Sequence, residues 1–289
     1  MRISNIFAGS RPVVSFEVFP PKPESPVETI YTALGKLRDL NPAFISVTYG
    51  AGGSTTERSI GIVEKVKREY GVETMAHLTC VGATPESIES TLDKLEELGV
   101  ENILALRGDP PAGSETFTPV PGGFAFARDL IGHIKRRNRF GIAAAAYPEG
   151  HLECRNVDQD IEYLKLKADA GVDLLITQLF FDNGLFYAFL EKARRKGINC
   201  PVSTGIMPVL NAGQIKRLTA LCGASIPTKL TGLMEKYGGN PADMEKAGIE
   251  YACQQIYDLV RNKVDGIHIC TMNKAEQTKE IMANLQGVL

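Results

Sequence analysis

The chain has none of the segments that would take a protein out of ordinary solution. No apolar run approaches the length needed to span a bilayer, and no positively charged start is followed by an apolar block. Neither a membrane span nor a secretory signal is therefore expected. Charge of one sign is also absent: 32 basic and 34 acidic side chains leave a net charge of -2, which gives nucleic acid no surface to bind. Metal-ligand spacing is missing too, because Cys80, Cys154, Cys200, Cys222, Cys253 and Cys270 form no C-x-x-C pair and the four histidines form no H-x-x-x-H. Scattered cysteines of this kind are buried thiols in a cytoplasmic protein, and no metal is expected. No lysine interrupts the apolar strands described next, which argues against Schiff-base chemistry.

What the chain does have is a repeat of short apolar runs. They are Val13–Glu17, Phe44–Tyr49, Thr74–His77, Ile103–Asp109, Ala143–Tyr147, Leu174–Gln178, Val202–Met207 and Ile267–Thr271. Stretches with helical periodicity lie between them, as in Val27, Ile30, Leu34 and Leu37, or Ile88, Leu92 and Leu95. Near-continuous apolar strands alternating with amphipathic helices make a parallel sheet covered on both faces. Eight such units in 289 residues predict an α/β fold, a (β/α)8 TIM barrel in a single domain spanning 1–289. The segment from Ile226 to Val264, broken at Gly238-Gly239-Asn240-Pro241, is long enough for an extra helix before the last strand. Helix starts are expected at Ser25-Pro26-Val27-Glu28, Ser54-Thr55-Thr56-Glu57, Thr84-Pro85 and Asp182. The basic run Lys135–Arg139 follows helical spacing and reads as cations complementing a helix end.

A barrel of this kind builds its active site where the strands end. Glu17, Thr48, His77, Asp109, Tyr147 and Gln178 would converge there. Alternation puts Glu17 opposite Phe16 and Val18. A carboxyl at an apolar mouth is expected to have a raised pKa, which suits a general acid. The residues alone leave equally open a structural carboxylate bonded to neighbouring backbone amides. Asp109 follows Gly108, which permits close backbone approach to a ligand, and precedes two prolines. A second carboxylate can stay ionised and stabilise a developing cation. Gly50-Ala51-Gly52-Gly53 is either an anion cradle or a tight turn. The irregular stretch Pro110–Gly123 is expected to be a lid or ligand-binding loop. Ala143–Ala146 leave room for a flat ligand or for close packing, and spacing does not separate the two.

Several segments together carry a family resemblance. Phe16–Lys22, Ser46–Gly50, His77–Cys80, Leu106–Asp109, Ala146–His151, Ile176–Asp182, Gly205–Val209 and Thr271–Glu276 resemble the methylenetetrahydrofolate reductases in their short bacterial form. The resemblance runs in order along nearly the whole chain. It implies a flavin-bearing barrel that reduces 5,10-methylenetetrahydrofolate to 5-methyltetrahydrofolate by ping-pong hydride transfer, with FAD as cofactor and NADH or NADPH as co-substrate. It implies that Glu17 protonates folate N10 and that Asp109 stabilises the resulting cation beside the flavin. By the same resemblance, Thr48, Tyr49, Ala51, His77, Arg107, Gly108, Asp109, Tyr147, His151, Asp160 and Lys167 bind the cofactors, while Gln178, Gln214 and Lys274 bind folate.

The chain departs from the family pattern at Tyr163 and Leu166, where some bacterial relatives carry Asn and Arg, so FMN stays open beside FAD. Lys274 replaces an Arg and keeps the charge without the bidentate fork. Leu218 replaces a Phe and leaves the donor open. The expected partners are the folate substrate and the nicotinamide, within a homo-oligomer. The alternatives are a flavin subunit with an electron-transfer partner in a larger complex, and a non-redox folate-dependent methyltransferase barrel.

Overall fold

The computed structural model describes all residues except 10, 11, 23, 50–55, 111, 112, 115 and 155. Eight parallel strands close into a barrel in sequence order. They are β1 (Val13–Val18), β2 (Phe44–Val47), β3 (Thr74–Thr79), β4 (Asn102–Leu106), β5 (Gly141–Ala146), β6 (Leu174–Thr177), β7 (Val202–Ile206) and β8 (Gly266–Cys270). The helices are α1 (Ile3–Ile6), α2 (Glu28–Arg38), α3 (Thr56–Glu64), α4 (Pro85–Glu97), α5 (Ala127–Lys135), α6 (Val157–Asp169), α7 (Asn183–Arg195), α8 (Ala212–Cys222), α9 (Thr228–Tyr237), α10 (Pro241–Arg261) and α11 (Ala275–Asn284). The expected TIM barrel is thus present. The extra helix before the last strand is α9, separated from α10 by the glycine pair at 238–239. No helix among the described residues is long and apolar enough to cross a membrane.

Strand alternation sorts the side chains into two layers. Phe16, Val18, Ile45, Val47, Leu78, Ile103, Ala144, Leu175, Ile267 and Ile269 point outward into the core shared with the helices. Val13, Phe44, Met75, Leu104, Ala143 and Leu174 point inward and fill the lower barrel, closed below by Ile3 and Phe7 of the α1 region. Above this apolar floor the inward positions change character. Ser15 pairs in register with His268, and Glu17 with Ser46 on one side and Cys270 on the other. The alanine strand serves both purposes that its composition allowed: Ala144 and Ala146 pack outward under the helices, while Ala145 lines an open cavity.

Helix starts follow local chemistry. Thr84 accepts from Ser87 N–H at 3.2 Å and Ser87 Oγ accepts from Thr84 N–H at 3.0 Å, a reciprocal cap on α4. Asp182 accepts from Gly184 N–H at 2.8 Å and caps α7. The cap expected at Ser25 does not form. Ser25 N–H bonds back to the Lys22 carbonyl at 2.9 Å, and α2 begins only at Glu28, with no side-chain cap on Val27. The start expected at Ser54 lies outside the described residues. Within the basic run, Arg137 is clamped by Glu89, Asp93 and Glu96 of α4, so it ties two helices together.

Candidate active site

A cavity of about 790 Å3 opens at the C-terminal end of the barrel. Ligand-sized clefts fall in this range. Twelve of the sequence-predicted residues line it: Glu17, Thr48, Tyr49, His77, Arg107, Gly108, Asp109, Tyr147, His151, Asp160, Lys167 and Gln178. They come from the ends of β1 to β6, from the segment that leads into α6, and from the first and last turns of α6, which carry Asp160 and Lys167. Gln214, in the first turn of α8, and Lys274, at the start of α11, do not line it. Ala51 and the rest of the glycine-rich turn at 50–53 lie outside the described residues. The departure at Tyr163 does reach the cavity, whereas Leu166 is exposed and does not.

Glu17 sits at the bottom of the cavity. Its carbonyl accepts from Thr271 N–H and Thr271 Oγ, which pins the end of β1 to the end of β8. Its carboxylate Oε2 lies 3.6 Å from His77 Nε2 and 3.6 Å from His268 Nε2, and Cys270 Sγ lies 3.7 Å from Oε1. At 3.6 Å the imidazoles act through charge and dipole, beyond a formed hydrogen bond. Burial pushes the Glu17 carboxyl up. The His268 and His77 imidazoles and the Cys270 thiol pull it down and win, leaving it below its ordinary value of 4.5. The raised pKa expected from an apolar mouth is therefore corrected, because alternation brings two histidines inward beside the carboxylate. Burial holds His77 neutral, with its pKa lowered to about 4 although Glu17 opposes the shift. His77 Nε2 is buried with no hydrogen-bond partner among the described residues, and it faces the cavity.

The opposite wall is cationic and aromatic. Gly108 has φ +85, a left-handed conformation that turns the chain so that Arg107 and Asp109 both reach the cavity. Arg107 makes a bidentate ion pair with Glu153, at 2.5 and 2.6 Å, and its guanidinium lies 5.1 Å from the Phe117 ring. Phe117 belongs to the expected 110–123 loop and contacts the cavity-lining Arg107. Lys167 Nζ donates to the Ala145 carbonyl at 2.6 Å and lies 5.6 Å from the centre of the Tyr147 ring. Burial lowers its pKa to about 8, partly offset by Asp160. The Asp160 carboxyl is itself pushed up by burial, and burial together with Asp109 raises Tyr147 to about 12.

Sequence reasoning missed several lining residues. Phe126 and Arg128, at the start of α5, follow the long loop and carry no spacing signal; the Arg128 guanidinium lies 4.9 Å from the Phe126 ring. Glu153 and Cys154 belong to the irregular segment before α6. His268 does not line the cavity but lies 3.6 Å from Glu17, and it was readable, since it alternates with Ile267 and Ile269 and shares its face with Cys270.

Known proteins resemble this chain along its length. The family model for methylenetetrahydrofolate reductase matches residues 2–286. An Arabidopsis thaliana protein named methylenetetrahydrofolate reductase (NADH) 1 is 37% identical over 98% of this chain and 50% of its own length. The 5,10-methylenetetrahydrofolate reductases of Pectobacterium carotovorum and Salmonella typhimurium are each 33% identical over 94% of this chain, covering 89% and 90% of their own lengths. The chain spans about half the length of the plant relatives it matches. In fold, it superposes with a TM-score of 0.66 on an uncharacterised Clostridium thermocellum protein described as binding two copies of 5-methyl-5,6,7,8-tetrahydrofolic acid. That match covers 98% of this chain and 97% of the other at 14% identity, a likeness of fold alone. With the family model matched across the whole barrel and bacterial reductases matched across most of both chains, the chain belongs to the methylenetetrahydrofolate reductase family.

Proposed function

We propose that this barrel reduces 5,10-methylenetetrahydrofolate to 5-methyltetrahydrofolate, with electrons that reach the folate from a reduced nicotinamide through a flavin held in the cavity. The observation that carries the reading is the meeting of Glu17 and Asp109, from separate strands, at one cavity of a chain that belongs to this family.

The residues present suit a flat, phosphorylated cofactor. Ala145 offers a methyl-sized wall, His77 Nε2 is a buried polar atom awaiting a partner, and Arg107 and Lys167 supply cations for phosphate. Phe126 and Arg128 extend the same surface to the start of α5, which favours FAD over the shorter FMN. When bound, the flavin would supply the two-electron chemistry that amino-acid side chains lack.

The chain's own residues supply the rest. Glu17 protonates folate N10, so that the five-membered ring opens to a cationic iminium. Asp109 places a negative charge beside that cation and lowers the cost of forming it. Gln178 orients the folate ring from the end of β6. Gln214 and Lys274 stand outside the cavity, on α8 and at the start of α11, and we assign them to the part of folate that extends past the mouth. The single barrel carries both sites.

Glu17→Gln tests this assignment in separate half-reactions. Acceptance of hydride from the nicotinamide should stay within about threefold of wild type, while transfer to methylenetetrahydrofolate should slow by ~10²–10⁴-fold, the usual contribution of a general acid. Equal losses in both would contradict the role, because ring opening belongs to the second half only.

A further inference from the structure

Gln178 orients the folate in the reading just given, on which this inference rests, and its aim depends on a segment that the barrel ladder does not hold. β6 ends at Thr177, and Gln178 N–H makes a last bond to the Ala146 carbonyl at 2.7 Å. Beyond it the chain leaves the sheet and runs through buried Phe180 and Phe181 to Asp182, the cap of α7. The Gln178 side chain folds onto this segment. Its Oε1 accepts from Leu179 N–H at 2.8 Å, which leaves Nε2 to donate to a ligand in the cavity. A rotation of Leu179–Phe181 would turn that amide and carry the carboxamide with it.

Two carbonyls of the segment lie past the strand ladder and need donors from elsewhere. Both donors come from α10. Tyr251 Oη–H donates to the Phe181 carbonyl at 2.6 Å, and Gln255 Nε2–H donates to the Phe180 carbonyl at 2.8 Å. Spaced i and i+4, the two share one face of the helix. Burial and the Asp182 carboxylate raise the Tyr251 phenol, so it stays a donor. Lys229 of α9 lies 5.7 Å from the centre of the Tyr251 ring. One turn further along α10, Asp258 accepts from Asn183 Nδ2 and from Tyr187 Oη, each at 2.7 Å, and so anchors the start of α7. Gln255 is 6% exposed and sits among Ala252, Ile256 and Leu259, on the buried face of the helix. An apolar side chain would serve packing there equally well. An amide adds direction, because it bonds one particular carbonyl.

We propose that Tyr251 and Gln255 are positioning residues for folate binding that act through Gln178. They fix the carbonyls of Phe180 and Phe181, the fixed backbone holds the Leu179 amide, and that amide keeps the Gln178 carboxamide aimed into the cavity. Without the two donors, buried carbonyls would have to turn in search of others. The long connection before the last strand thereby sets one wall of a site built at the end of β6.

The test is a double-mutant cycle, read by titrating the flavin-loaded protein with 5-methyltetrahydrofolate. Gln178→Ala should weaken binding about tenfold, near the upper worth of one side-chain hydrogen bond. Tyr251→Phe, which removes a single oxygen, should weaken it about fivefold, and Gln255→Met by a similar factor. In the Gln178→Ala background each should change affinity by less than about twofold, since the effect passes through Gln178. Nicotinamide oxidation by Tyr251→Phe and Gln255→Met should match wild type. Without ligand, amide exchange at Leu179–Phe181 should quicken in both. Affinity and exchange left as in wild type, or losses that add in full to that of Gln178→Ala, would overturn the proposal. Should Gln255→Met fail to fold, Tyr251→Phe decides alone. If Gln178→Ala itself binds 5-methyltetrahydrofolate as wild type does, the folate role of Gln178 in the functional reading fails, and the positioning role falls with it.

Discussion

Replacing His77 with leucine should make the barrel less sensitive to acid, by an amount that follows from burial. The imidazole is 6% exposed, and its folded pKa is about 4 against 6.5 for the ordinary group. Between those values the unfolded chain binds a proton that the folded chain refuses. Stability from this group is therefore complete above pH 6.5 and is lost as pH falls toward 4. Linkage gives RT ln[(1 + 10^(6.5−pH))/(1 + 10^(4−pH))], which is ~0.1 kcal/mol at pH 7.5 and ~2 kcal/mol at pH 5. Staying at pH 5 also keeps clear of the range in which Glu17 takes up its own proton. The assay is urea unfolding of wild type and His77→Leu at both pH values, followed by circular dichroism. Packing changes caused by the leucine are common to both conditions and cancel. Wild type should lose about 2 kcal/mol more than the variant on going from pH 7.5 to pH 5. Parallel losses would refute the claim that His77 sits neutral and buried beside Glu17.

Two further outcomes concern the cavity wall. Gly108→Ala forces a side chain into a left-handed position, where its Cβ would meet Val81 Cγ2 at 2.6 Å and Thr79 Cβ at 3.2 Å. That conformation alone costs about 1–2 kcal/mol, so Arg107 and Asp109 should shift and flavin affinity should fall at least tenfold in a fluorescence titration. Unchanged affinity would show that the turn does not set the site. Lys167 has its pKa lowered to about 8, so wild-type affinity for a phosphorylated flavin should weaken as pH rises through 8 and the cation is lost. Lys167→Met should bind weakly and with no such slope, and a slope that survives in the variant would assign the effect elsewhere.

How much of this was legible beforehand depended on the range of the forces involved. The barrel was readable because burial on two faces leaves continuous apolar strands, and each strand needs only its own residues to show the pattern. Thr84 and Asp182 were readable as caps because capping acts within one turn. Ser25 was not, since its amide is taken by Lys22 in a competing turn that sequence spacing does not rank. Glu17 was placed correctly in the lumen by alternation, but its pKa direction was not. That direction depends on His77 and His268, which are 60 and 251 positions away in sequence and meet Glu17 only when the barrel closes. The ion pair between Arg107 and Glu153 is likewise a product of two loops. Tyr163, on α6, reaches the cavity, and Leu166, one turn on, faces away, a difference settled by the helix's rotation against the strands.

The proposed function requires that electrons from a nicotinamide reach folate through one flavin held in this cavity. Anaerobic mixing of the flavin-loaded protein with NADH or NADPH, followed by methylenetetrahydrofolate, tests that directly. The visible flavin band should bleach with the donor and return with the folate, one equivalent of 5-methyltetrahydrofolate forming for each flavin restored. A protein that holds no flavin, or whose bleached band does not return when folate is added, would contradict it.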